Sequence, residues 1–272
     1  MLDSRKREIR RQTGSFRERC KVTRYGNIDL FHECERMGYK LFRYPLGENA
    51  VLGFAEKRDE DIIVFTNSSN RLSREIFTLA HEIGHIILHL NKKQPFIDDH
   101  LTIADCGKDE LEQEANYFAA CLLMPSDDVD RFIDFELPDF EKKGLSGMDI
   151  ARMMSEFNVS YEMALNRLES LGKINFLQKT LLDTERNEKR VGNLLRSIGG
   201  NSRLNVPSND LYIPYEYLDY AIYNYNHNAV PKETLEKVLE CYNLNIEDIN
   251  DRLMELTDKE NELDDLIGGL EE

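Results

Sequence analysis

Over residues 50–67 the apolar positions fall in two short runs, AVLGFAE and DIIVFTN, on either side of the charged turn KRDED, a pattern that predicts a β-hairpin. Upstream, GNIDLFHECERMGYKLFRYPLG reads as a helix ending near Gly38 and then a short extended segment. Downstream the period changes. SSNRLSREIFTLAHEIGHIILHL carries Ser and Asn cap residues ahead of a long apolar-rich helix. After the polar connection NKKQPFIDDHLTIADCGKD, ELEQEANYFAACLLMP reads as a second helix stopped by Pro125, and Ser126 reads as the N-cap of a third. MDIARMMSEFNVSYEMALNRLESLG gives two further helices, broken at Asn158–Ser160 and closed by Gly172.

These elements imply an α+β domain over residues 25–176, preceded by a basic arm (1–24). A linker follows over 177–210, and a mostly helical C-terminal region with an acidic tail over 211–272. DTERNEKR and SIGGNSRLNVPSND supply the linker character, and PYEYLDYAIYNYN and KETLEKVLECYNL the helices beyond it.

Charge adds detail. Residues 1–25 hold nine Lys/Arg against three Asp/Glu, a composition that predicts a solvated, partly disordered arm. Residues 232–272 hold four against fourteen, and the net charge of −16 opposes general affinity for phosphate backbones. The five cysteines are scattered and form no CxxC pair, so neither a disulfide framework nor a cysteine-only zinc site is expected. There is no apolar run of membrane-spanning length and no apolar signal core at the start, which predicts a soluble cytoplasmic protein.

The candidate chemistry lies in FTLAHEIGHIILH. His81 and His85 stand four residues apart, about 400° of helix rotation and roughly 6 Å of rise, so both imidazoles leave one face and can grip one cation. Zinc accepts two such nitrogens together with a third protein ligand and a water. Glu82, next to the first histidine, is placed to move a proton between that water and a leaving amine. This is the HExxH arrangement. The third ligand is sought among Glu110, Glu112 and Glu114. Ala115, Phe118, Ala119 and Leu122 mark the buried side of their helix; Glu112 projects with them, and Glu114 points about 200° away toward solvent. Glu112 is the better candidate and Glu114 the alternative, with Asn116 one turn on to hydrogen-bond a ligand histidine.

FTLAHEIGHIILH followed by EQEANYFAACLLMP resembles the ImmA/IrrE family of bacterial and phage metallo-endopeptidases, over roughly residues 25–175. The Glu112-to-Asn116 step is similar to the ExxxD/N step of gluzincins, which supports Glu112 as ligand and Asn116 as its companion. The resemblance implies a zincin-like fold and one zinc per chain, with manganese as a substitute. It also implies a cytoplasmic enzyme that cleaves a helix-turn-helix repressor to switch on stress, prophage, mobile-element or defence genes. The region beyond residue 177 carries no such resemblance and is expected to recognise substrate, dimerise or sense a signal.

Several residues admit two readings. His89 reads either as a neighbour of the ligand set or as a packed histidine at the helix end, and Asp98, Asp99 and His100 as a polar loop more than a metal site. Cys106 is either an idle thiol or an inhibitory ligand in the open zinc position. Tyr117 is an oxyanion candidate or a packed tyrosine. DIIVFTN could pair with an extended substrate by strand addition. Residues 148–172 have a helix-turn-helix outline, but residues 149–173 net −1, which favours core packing over DNA binding. The six tyrosines over residues 212–225 read as part of an ordinary helical core with some of them exposed, with a partner or sensor surface and the stacking of single-stranded bases as the other readings. The competing function is a non-catalytic, zinc-stabilised interaction module, which would have no need of Glu82.

Overall fold

The computed structural model describes residues 1–26, 29–89, 96–98 and 109–254, and the chain divides into two compact units, 1–212 and 213–272. Among the described residues no helix is long and apolar enough to cross a membrane.

In the first unit the elements run α1 (Asp3–Arg17), α2 (Leu30–Arg36), β1 (Lys40–Tyr44), β2 (Gly53–Arg58), β3 (Asp61–Asn67), α3 (Leu72–His89), β4 (Phe96–Asp98) and α4 (Glu110–Leu123). They continue with α5 (Ser126–Glu136), α6 (Phe140–Lys143), α7 (Gly147–Phe157), α8 (Tyr161–Ser170), α9 (Phe176–Lys189) and α10 (Val191–Ser197). The sheet order is β1-β3-β2-β4. β2 and β3 form the expected hairpin, antiparallel from Gly53↔Thr66 to Arg58↔Asp61, with Asp59 taking the left-handed conformation in the turn. β1 runs parallel to β3, and β4 antiparallel to β2.

This order corrects the idea that DIIVFTN receives a substrate strand. β3 is central and hydrogen-bonded on both sides, so its backbone groups are already committed. The outer edge of β1 is occupied as well, because Arg43 and Tyr212 exchange backbone hydrogen bonds of 2.8 and 2.9 Å.

α3 lies between the sheet and α4, which is why a helix apolar on nearly every face is stable there: Ile76, Leu79, Ala80, Ile83 and Ile86 are all buried. Gly84 sets its distance from α4. A Cβ at Gly84 would lie 3.1 Å from Ala115 Cα and 3.2 Å from Phe118 Cβ, so a larger residue would require α4 to give way by a few tenths of an ångström.

Two segments differ from the expectation drawn from composition. The basic start is helix α1, with Ile9, Thr13 and Phe16 buried on one face and Phe16 meeting Phe118 of α4 edge-on at 6.4 Å. Three well-spaced apolar or small residues suffice to dock it, while its arginines reach acids elsewhere, as Arg17 does at Asp128 (2.7 Å). The charged stretch after residue 176 is also helical: α9 and α10 add Leu182, Leu194 and Leu195 to the core. Ser126 is the first helical residue of α5, and Pro125 takes the N-cap position.

α7 and α8 meet at Asn158, a left-handed C-cap, and Ser160, an N-cap whose hydroxyl accepts from Met163 N–H. Their apolar faces (Ile150, Met154, Phe157, Ala164, Leu165, Leu168) are buried in the main core, as expected of a packing role.

The second unit holds α11 (Tyr215–Asn226), α12 (Lys232–Cys241) and a 3-10 turn (Ile246–Arg252) around Leu218, Ala221, Ile222, Leu235, Val238, Leu239 and Ile249. Most of its tyrosines lie outside this core. Tyr215, Tyr217, Tyr220 and Tyr223 are exposed, because the smaller and aliphatic residues of α11 form the face that meets α12.

Candidate metal centre

α3 and α4 bring three ligand-bearing side chains together. His81 and His85 are fully buried on the α4 side of α3, and Glu112 is buried in the first turn of α4. One ligand atom from each of the three lies within 4.8 Å of the others. His81 Nε2 and His85 Nε2 are 2.9 Å apart, and Glu112 sits 3.2 Å from the first and 3.3 Å from the second.

The donor set fits a divalent cation. For zinc–ligand bonds of about 2.0–2.2 Å at tetrahedral angles, neighbouring donor atoms lie about 3.3–3.6 Å apart; the two Glu112 separations are close to this and the histidine pair is closer together. Asn116 Oδ1 lies 2.9 Å from His81 Nδ1. An amide oxygen only accepts, so Nδ1 carries the proton and the Nε2 lone pair of the neutral ring faces the centre. Glu112 Oε2 is buried and accepts no well-aligned hydrogen bond within the protein, although His81 Nε2 is near. Burial pushes the Glu112 carboxyl up, but protons on the His81 and His85 nitrogens facing it, which a bound cation would displace, outweigh that and bring it to about 2.

Glu82 is fully buried and follows His81 in α3. β2 makes room for it with Gly53: a Cβ there would lie 3.2 Å from Glu82 Oε1 and 2.5 Å from Thr78 Cγ2. Glu114 is not the solvent-facing residue expected. It points away from the cluster and accepts from Arg5 Nε (2.8 Å), Arg5 Nη2 (2.6 Å) and His89 Nε2 (2.9 Å). The Arg5 hydrogen bond, against burial and with help from His89, holds its carboxyl down at about 2. His89 is buried, with Nδ1 3.1 Å from His85 Nδ1. Tyr117 accepts from Arg10 of α1 at 2.8 Å and packs on the core, which leaves the oxyanion role without support. Asp99, His100 and Cys106 lie outside the described residues, and Asp98 contributes its backbone to β4.

Sequence reasoning passed over Gly53, Gly84 and Arg5. Glycine inside an otherwise apolar helix costs about 1 kcal/mol relative to alanine, so Gly84 was itself a sign of a close helix contact.

A histidine pair on one helix, a carboxylate on the next and a small mixed sheet alongside define a zincin-like metallopeptidase domain. The model of the IrrE N-terminal-like domain, a peptidase family, matches residues 34–169, half of the chain and the whole of the site: the chain belongs to the ImmA/IrrE family. It is 24% identical over 157 residues to Metallopeptidase ImmA of Bacillus subtilis (strain 168), covering 57% of this chain and 83% of that protein. It is 32% identical over 93 residues to Uncharacterized immunity region protein 2 of Bacillus phage phi105, covering 33% of this chain and 56% of that protein.

Proposed function

We propose that the chain is a zinc-dependent endopeptidase, with His81, His85 and Glu112 as the metal ligands and Glu82 as general acid and base. The observation that carries this reading is the convergence of two imidazole nitrogens and a carboxylate within 4.8 Å, all buried, with Glu82 in the same helix turn. When bound, zinc supplies Lewis acidity toward a carbonyl oxygen and toward water. Glu82 removes a proton from the water that attacks the scissile carbonyl carbon. As the C–N bond breaks, Glu82 returns that proton to the departing nitrogen, giving a carboxylate and an amine. Asn116 holds the His81 ring in the orientation that turns Nε2 inward.

The substrate is a regulatory protein of the cytoplasm, a helix-turn-helix repressor, whose cleavage switches on the genes it silences. The family and the two relatives, one a metallopeptidase and one a phage immunity-region protein, support this reading. The test is co-expression of wild type and Glu82→Gln with a helix-turn-helix repressor taken from the neighbouring genes. Cleavage by wild type and a loss of roughly 10²–10⁴-fold in Glu82→Gln is expected. Equal effects of the two on the partner, without cleavage, would replace the enzyme with a binding module.

A further inference from the structure

The metal reading uses two histidines of α3 and leaves the third, His89, unexplained. A buried imidazole at the end of an apolar helix is costly unless both ring nitrogens are matched. Both are matched here, and the partners form a chain that runs from α1 to the ligand set: Arg5 to Glu114 (2.6 and 2.8 Å), Glu114 to His89 Nε2 (2.9 Å), and His89 Nδ1 to His85 Nδ1 (3.1 Å).

The chain has one proton order. The Arg5 guanidinium only donates, so the Glu114 carboxylate that it grips in two places accepts. His89 Nε2 therefore donates to Glu114, and the Nδ1 of the neutral ring accepts. His85 Nδ1 then donates, and the lone pair of His85 is placed on Nε2, the nitrogen 2.9 Å from His81 Nε2 and 3.3 Å from Glu112. The opposite tautomer of His85 would put a proton where a ligand lone pair is needed.

We propose that Arg5, Glu114 and His89 are positioning residues that fix the ring and proton of His85 for metal binding, making the amino-terminal helix a working part of the metal centre. This rests on the reading of His81, His85 and Glu112 as ligands. It also implies coupling in both directions: docking of α1 raises metal affinity, and metal binding holds α1 in place.

The test uses the full chain and zinc alone, with affinity read by competition against a chromophoric chelator and the ligand field by the visible spectrum of the cobalt form. His89→Leu is expected to weaken zinc binding about 10–100-fold and to alter the cobalt spectrum. His89→Asn puts an amide oxygen where Nδ1 accepts and should stay within about threefold of wild type. Wild-type affinity in His89→Leu, or equal losses in the leucine and asparagine variants, would overturn the proposal. If His89→Leu does not fold, Glu114→Leu carries the test, and unchanged affinity there overturns it. Wild-type zinc uptake with an indifferent His89→Leu removes this inference alone, whereas a wild type that takes up no zinc removes it together with the metal reading.

Discussion

Helix α3 buries a carboxylate cluster near each end, and the two are built differently. Near its start, Glu75 accepts from Arg43 Nε (2.8 Å), Arg43 Nη2 (2.9 Å), Thr66 Oγ1 (3.0 Å) and Ser208 Oγ (3.1 Å). Arg43 is shared with Asp210 at 2.9 Å and lies 3.9 Å from the centre of the Phe31 ring. A buried anion meets a partly buried cation of this chain, and that knot ties β1, α3 and the segment around residue 208 together. Toward the other end, Glu112 faces two imidazole nitrogens whose lone pairs converge, and one of its oxygens accepts no aligned hydrogen bond. The first cluster is complete with protein groups and reads as structure. The second has the donor set of a cation site. What separates a stabilising polar knot from a functional one is whether the charges are answered inside the chain.

Substitutions at the two clusters should give opposite phenotypes. Arg43→Met strands the fully buried Glu75 and should cost about 3–5 kcal/mol of stability in urea unfolding, with zinc affinity of the folded fraction kept within about twofold. Glu112→Ala should do the reverse, weakening zinc binding at least about 100-fold while changing metal-free stability little; a metal-free loss as large as that of Arg43→Met would make both clusters structural. Chelation is the same test without mutation. Zinc at about 100 times its Kd adds about 2.7 kcal/mol to the wild type, so stripping it should lower Tm in the wild type and leave Glu112→Ala unmoved. Gly84→Ala, which crowds Ala115 and Phe118, should cost about 1–3 kcal/mol and loosen zinc binding in the same protein. The smallest effect belongs to the second unit: Tyr220→Ser, on the exposed face of α11, should stay within about 0.5 kcal/mol by thermal melting.

The parts of the molecule that follow from local periodicity were legible in the chain. The hairpin from Gly53 to Asn67 declared itself through two apolar runs and a charged turn, and the pairing of Glu112 with His81 and His85 through helix geometry and the buried side marked by Ala115 and Ala119. What was not legible depends on distant partners. β3 became central only because β1 pairs with it in parallel and β2 on its other side, which no local pattern encodes. Glu114 does leave α4 on the side opposite Glu112, but α1 docks there, so the residue meets Arg5 and not solvent. The basic composition of α1 concealed three buried residues, and nothing local marked which tyrosines of α11 lie outside the core that Leu218, Ala221 and Ile222 fill.

The central claim is that two helices hold one divalent ion between His81, His85 and Glu112. Calorimetric titration of zinc into the chelator-stripped wild-type chain, with His85→Ala as its partner, tests it most directly. One equivalent bound tightly by the wild type, with the heat abolished in His85→Ala, is the predicted result. Heats near zero in the wild type at equimolar zinc, or equal binding by both proteins, would contradict it.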